Sequence, residues 1–166
     1  MRHLTVGHSP DADDAFMFYA LSHALVDVEG PEPVTIEPIH ADIQSLNERA
    51  SKGAYDVSQI SAAAYPGVAD LYRITACGSS MGENYGPVVI AQTRVPVSAL
   101  AGRRVAVPGS QTTAFLLAQK YLPDFEPIQL SFDQVFAAVK DGRADAGVVI
   151  HEGQITYEGE GFAKIL

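Results

Sequence analysis

Tryptophan is absent from the 166 residues, and cysteine occurs once, at Cys77. A single thiol excludes an intramolecular disulfide framework and any cysteine-rich zinc site. Positive charge is scarce and scattered: 11 Lys and Arg stand against 20 Asp and Glu, a net charge of −9, and Arg103-Arg104 is the one adjacent basic pair. Nucleic-acid backbones require clustered basic side chains, so no nucleic-acid partner is expected. No stretch approaches the ~18 uninterrupted apolar residues of a membrane span. The first eight residues, Met1-Arg2-His3-Leu4-Thr5-Val6-Gly7-His8, also lack the apolar run of a secretory signal. A cytoplasmic setting without a membrane partner is therefore expected.

What is present is apolar substance: 47% of residues are hydrophobic and 19% charged, which excludes a disordered chain and suits one domain or two small lobes. Short apolar runs alternate with helical patterns. Residues 4–7 read as a buried strand, and Ser9-Pro10-Asp11-Ala12-Asp13-Asp14 supplies helix-start chemistry before Phe16, Met17, Ala20, Leu21 and Ala24 recur at helical spacing. Strands follow at 34–39 and 57–60, with a helix over 42–52 that Gly53 is placed to end. Apolar stretches at 72–77 and 87–93 lead to a turn-rich 94–102. The pattern then restarts, with strands at 104–107, 128–130 and 146–150 around helices at 112–121 and after Ser131-Phe132-Asp133-Gln134, which fits a capping box.

Strand–helix–strand–helix–strand thus occurs twice, and a local echo marks the repeat. Gly53-Ala54-Tyr55-Asp56 precedes one strand and Gly142-Arg143-Ala144-Asp145 another. The reading is an α/β chain of two lobes, residues 1–93 and 94–166, each with a three-stranded parallel sheet and right-handed crossovers. The final run, Phe162-Ala163-Lys164-Ile165-Leu166, is apolar, and narrow sheets would have exposed edges. The expectation is a fragment of a longer protein.

In such sheets ligands bind beyond the carboxyl ends of the strands, where helix N-termini also point. That rule selects His8-Ser9, His40 with Asp42, and Ser61 in the first lobe. In the second it selects Ser110-Gln111-Thr112-Thr113, Ser131 and His151-Glu152. Neutral donors in a cleft between lobes suit a small anionic or polyhydroxylated ligand.

His151 emerges from the buried run Gly147-Val148-Val149-Ile150; its imidazole is either a proton carrier or a histidine hydrogen-bonded at a strand end. Ile155 stands where a His-Glu-x-x-His zinc motif needs its second histidine. Gly109-Ser110-Gln111-Thr112-Thr113 either offers backbone N–H groups to an anion or merely caps a helix, and it is neither a Walker loop nor a dinucleotide fingerprint. Asp11, Asp13 and Asp14 are explained by the helix dipole without a metal, and Phe16 breaks the calcium-loop pattern. Gly78-Ser79-Ser80-Met81-Gly82 matches Gly-x-Ser-x-Gly without the strand-turn-helix context of a nucleophile elbow. Phe16, Met17, Phe18 and Tyr19 read as helix core.

Several segments together carry a resemblance: Ser9-Pro10 with Asp13-Asp14-Ala15-Phe16-Met17-Phe18; Ser61-Ala62-Ala63-Ala64-Tyr65; Gly86-Pro87-Val88-Val89; Val105-Ala106-Val107-Pro108-Gly109 with Thr112-Thr113-Ala114; and Ile150-His151-Glu152 with Thr156-Tyr157. Their order and spacing resemble the MqnA/MqnD family of menaquinone biosynthesis, the futalosine pathway, and are most similar to its branch that makes 1,4-dihydroxy-6-naphthoate. The resemblance implies a two-lobed fold like the type 2 periplasmic binding proteins, in longer chains than this one. It implies a carbon–carbon lyase acting on cyclic dehypoxanthine futalosine, a small-molecule carboxylate, without a cofactor or metal. It places a proton acceptor at His151 and substrate contacts at Gln59-Ile60-Ser61 and Thr113-Ala114, with Thr112 and Ser9 completing the expected set. The chain departs from the family pattern at Asp11-Ala12-Asp13, where Cys-Pro-Asn is frequent, and at Gln111, where a histidine commonly precedes the threonine pair. The alternatives are a chorismate dehydratase of the same family and a non-catalytic small-anion binding protein of the same fold.

Overall fold

The computed structural model describes residues 1–166, in two compact units, Met1–Met81 and Gly82–Leu166. The first unit runs β1 (Arg2–His8), α1 (Ala12–Ser22), β2 (Val34–His40), α2 (Ile43–Ala50) and β3 (Val57–Ser58), with its sheet in the order β2-β1-β3. Both pairings are parallel, and β1 and β2 match along seven residues from Arg2 opposite Val34 to His8 opposite His40. Asp42 caps α2, its carboxylate accepting from the Ser45 N–H at 3.0 Å and the Ser45 hydroxyl at 2.6 Å. Burial pushes the Asp42 carboxyl up, but the Ser45 hydrogen bonds together pull it below the ordinary 3.8. Leu46 and Ala50 of α2 are fully buried. The helix stops where Gly53 takes a φ of 65°, letting its N–H reach Ala50 O (2.9 Å) and Ala54 N–H reach Arg49 O (3.2 Å).

The run Phe16-Met17-Phe18-Tyr19 does not form core as a block. Successive helical residues turn by about 100°, so four neighbours cannot share one face. Phe18 turns in and stacks on His8 at 4.5 Å, whereas Phe16 is 86% exposed and Tyr19 54%. Asp14, four residues before Phe18, is buried on α1 instead.

The second unit runs β4 (Val88–Ala91), β5 (Arg104–Val107), α3 (Thr113–Tyr121), β6 (Glu126–Gln129), α4 (Val135–Lys140), β7 (Ala146–Val149), α5 (Gly153–Thr156) and β8 (Ala163–Lys164). Its sheet has five strands in the order β6-β5-β7-β4-β8, rather than three parallel ones. β5 is parallel to β6 and β7, while β4 runs antiparallel to both β7 and β8. The stretch 82–93, read from the sequence as part of the first lobe, therefore belongs with the second unit through its ladders. The apolar run ending the chain supplies β8 and the buried Phe162. Side chains alternate across the sheet: Val105, Val107 and Val148 join Ala114 and Ala118 of α3 on one face, and Ala106, Val149 and Ile90 join Val135, Ala138 and Val139 of α4 on the other. The Ser131 capping box does not form. The Ser131 hydroxyl donates to the Asp133 carboxylate, and a short 3-10 turn at Phe132–Gln134 leads into α4.

The echo around Asp56 and Asp145 is a structural equivalence. Asp56 Oδ2 accepts from the Thr5 N–H and hydroxyl, both at 2.9 Å, one residue before β3 pairs with β1. Asp145 Oδ2 accepts from the Arg104 N–H at 3.0 Å, one residue before β7 pairs with β5. Asp56 thus fastens β3 to β1, and Asp145 fastens β7 to β5, at the N-terminal end. No helix of the structure is long and apolar enough to cross a membrane.

Two outcomes follow from this packing. A Cβ at Gly147 would lie 2.5 Å from Val135 Cγ1 and 3.0 Å from Val139 Cγ2, so α4 approaches β7 only because that side chain is missing. Gly147→Ala is expected to destabilise the protein by about 1–3 kcal/mol in urea titrations. The hydrogen bond from the Thr5 backbone, followed by that from its hydroxyl, holds the Asp56 carboxyl below the ordinary 3.8. A depressed folded-state pKa stabilises the fold above the unfolded value and loses that contribution as the pH falls through the folded one. Asp56→Asn should therefore show a smaller drop in denaturation midpoint than wild type between about pH 6 and about pH 3.

Candidate functional site

The chain leaves β1 toward β2 and later returns on the other side of β1 as β3, and it leaves β5 toward β6 and returns on the other side of β5 as β7. In sheets of this order ligands bind beyond the carboxyl ends of the diverging strands, which here are β1 and β3, and β5 and β7.

In the first unit β1 ends at His8, 2% exposed. Its Nδ1 lies 2.8 Å from the Ser9 carbonyl oxygen, which only accepts, so Nδ1 carries the proton and Nε2 faces the Ser22 hydroxyl at 3.4 Å. The ring stacks on Phe18 and meets the edge of His40 at 4.6 Å. His8 is thus a core histidine with both nitrogens engaged. Ser9 is 1% exposed; its N–H donates to Gln59 Oε1 at 2.9 Å and its hydroxyl to Asp11 Oδ2 at 2.6 Å. Both side chains, selected from the sequence as ligand contacts, are engaged here: that of Gln59 ties the ends of β1 and β3 together through the Ser9 N–H, and that of Ser9 is spent on Asp11. Ile60 and Ser61 follow, both half-buried. Ser61 is gripped from α2: its N–H donates to Asn47 Oδ1 at 2.8 Å, and Asn47 Nδ2 donates to the Ser61 hydroxyl at 3.1 Å. Asn47 was missed in the sequence. Its signal was a polar residue between Leu46 and Ala50 on the buried face of α2, where it is 1% exposed.

In the second unit β5 runs into Gly109, at φ 145°, and on to the N-terminus of α3. Thr112 is the cap: its hydroxyl donates to Gly109 O at 2.8 Å and accepts from the Phe115 N–H at 3.1 Å, and the residue is 3% exposed. The capping alternative therefore holds for Thr112, and Ala114 sits in the core cluster with Val105 and Val107. Thr113 is half-buried at the first position of α3, and Ser110 and Gln111 are exposed before it. The backbone N–H groups of this first turn have no partners further back in α3.

His151 leaves the neighbouring strand. It adopts a left-handed φ of 52°, uncommon outside glycine, with its ring edge-on to Phe132 at 5.2 Å. Non-glycine residues held there concentrate at functional turns, because surrounding contacts must hold the strained backbone. Since β5 and β7 are adjacent and parallel, Thr112, Thr113, Ala114 and His151 gather at one edge of one sheet. Ser9, Gln59, Ile60 and Ser61 gather likewise in the first unit.

The other sequence motifs disperse. Asp11 takes the Ser9 hydroxyl, Asp13 accepts from Ser80 at 3.3 Å, and Asp14 is buried. Ser80 sits in irregular chain with no helix after it, so the Gly-x-Ser-x-Gly match has no nucleophile-elbow geometry.

A family model described as menaquinone biosynthesis matches residues 4–166. The 1,4-dihydroxy-6-naphthoate synthase of Thermus thermophilus is 39% identical over 166 residues, covering all of this chain and 59% of that protein. A solved structure of a protein from Archaeoglobus fulgidus superposes with a TM-score of 0.91 at 47% identity, covering 99% of this chain and 60% of that one. The chain thus spans about three fifths of the length of these relatives. The periplasmic aliphatic sulphonate binding protein of Escherichia coli gives a TM-score of 0.61 at 18% identity, over 99% of this chain and 60% of that one, which shows a shared α/β binding-protein fold. With the family model matched from residue 4 to residue 166, this chain belongs to the menaquinone-biosynthesis family.

Proposed function

We propose that this chain carries the base and anion-holding turns of a lyase that cleaves cyclic dehypoxanthine futalosine to 1,4-dihydroxy-6-naphthoate. The observation that carries the reading is the 39% identity, along the whole chain, to a protein named 1,4-dihydroxy-6-naphthoate synthase. The local geometry supports it. His151 is the proton acceptor in this reading, projected from the end of β7 by its left-handed turn. A base that takes a proton from the sugar-derived part of the substrate triggers scission of the adjoining carbon–carbon bond. The bond's electrons pass into the ring that becomes aromatic, and aromatisation drives the step. In the first unit the Ser61 hydroxyl donates to the substrate's carboxylate, and in the second the N–H groups that open α3 and the Thr113 hydroxyl are donors for an anionic group, in each case as charge-assisted hydrogen bonds. Thr112, Ser9 and Gln59 act one step back by fixing the turns that present these donors, and Ile60 and Ala114 supply backbone and apolar wall.

The test is incubation of the full-length protein with cyclic dehypoxanthine futalosine, with 1,4-dihydroxy-6-naphthoate as the expected product. Loss of a general base costs on the order of 10²–10⁴ in rate, so His151→Ala is expected to fall by about that factor. His151→Gly should be equally inactive yet more stable than His151→Ala, because glycine occupies φ 52° without strain. Naphthoate formed by His151→Ala at the wild-type rate removes His151 from the mechanism, and no naphthoate from wild type rejects the activity.

A further inference from the structure

Asn47 lies outside the residues that the proposed reaction uses, yet it is the polar side chain in α2 most fully withdrawn from water, at 1% exposure. Asparagine is a poor helix former and costly to bury. Here both ends of its amide are directed to Ser61. Their directions are not interchangeable. The Ser61 N–H must meet an oxygen, so Asn47 Oδ1 faces it at 2.8 Å, and the NH2 group must then face the Ser61 hydroxyl at 3.1 Å. An NH2 group only donates. The Ser61 oxygen therefore accepts from it, and the hydroxyl hydrogen is turned away from α2.

From this we infer that Asn47 is a positioning residue that fixes Ser61 as a hydrogen-bond donor to the carboxylate of the bound ligand. The inference rests on the proposed naphthoate-forming reaction for the identity of that ligand. A serine hydroxyl ordinarily rotates to donate or accept as its surroundings ask. With one lone pair held by an amide that cannot accept, it favours an acceptor such as a carboxylate and disfavours a donor. The amide also anchors the Ser61 backbone, so the hydroxyl is held at a set position beyond β3. Neither serine, threonine nor glutamine at position 47 would reproduce both contacts at these distances.

The experiment measures dissociation constants of the full-length protein, under anaerobic conditions, for 1,4-dihydroxy-6-naphthoate and for 1,4-dihydroxynaphthalene, which lacks only the carboxylate. Asn47→Asp keeps an oxygen for the Ser61 N–H but replaces the NH2 by an acceptor that captures the hydroxyl hydrogen. Affinity for the naphthoate is expected to drop about tenfold or more, the worth of a hydrogen bond to a charged group, while that for the naphthalene changes less than about threefold. In the Ser61→Ala background Asn47→Asp should alter naphthoate binding by less than about threefold, because no hydroxyl remains to be turned. Ser61→Ala alone, which leaves the backbone contact intact, should show the same selective loss even if Asn47→Asp does not fold. Equal weakening of both probes, or an undiminished effect in the Ser61→Ala background, overturns the inference in favour of a general structural role or simple charge repulsion. A protein that forms naphthoate from cyclic dehypoxanthine futalosine without this selectivity overturns the role of Asn47 alone. A protein that forms none overturns the underlying reading and this inference with it.

Discussion

In both units an aspartate locks a parallel pair of strands at its N-terminal end, and the rest of the arrangement depends on the register so fixed. Asp56 and Asp145 accept the backbone N–H groups of Thr5 in β1 and Arg104 in β5 at the N-terminal end, at 2.9 and 3.0 Å. Those contacts set the register, and a slip of one residue in β7 would turn Val148 and Val149, buried on opposite faces, to the wrong ones. At the carboxyl end the chain passes from β1 to β2 on one side and later to β3 on the other, and likewise from β5 to β6 and then β7. Register held at one end thus determines which residues meet at the other.

The polar residues at the carboxyl ends divide into those that hold and those that present. His8, Ser9, Gln59 and Thr112 are engaged with backbone or with one another, and three of them are 3% exposed or less. Each such buried group must be satisfied, since leaving one unpaired costs about 1–3 kcal/mol. Ser61, Thr113 and His151 are half-buried and stand beside them. Rigid support beneath a donor or base is what keeps it within the narrow geometry that binding and proton transfer require. The left-handed backbone at His151 belongs to the same scheme, a small local strain carried by the packed strand before it.

Much of this was legible in the sequence. The Gly-x-x-Asp echo located the two equivalent strand starts, because a helix-ending glycine and a strand-clasping aspartate are local chemistry. His151 and the Thr112-Thr113 pair were legible because they follow apolar runs that could only be buried strands. Less legible were the partners of β4. Whether a four-residue apolar strand pairs with a sheet before or behind it is decided by distant ladders, and Val88–Ala91 joined β7 and β8 rather than the first sheet. The aromatic run after Asp14 misled for the opposite reason: four apolar neighbours look like core, but helical rotation sends Phe16 outward and Phe18 inward. Asn47 escaped notice because a polar residue on a buried helix face has no meaning until its partner 14 residues later is known.

The sequence by itself determined the α/β alternation, the helix that Gly53 ends, the acidic charge and the family resemblance, since each depends on residues close together or on composition. Tertiary structure alone decided the five-stranded mixed sheet, the division between Met81 and Gly82, and the split of the strand-end residues into supports and donors. The physical reason is common to all three. Hydrogen-bond partners and burial are properties of pairs brought together by folding, and a side chain's role follows from what satisfies it, not from its identity.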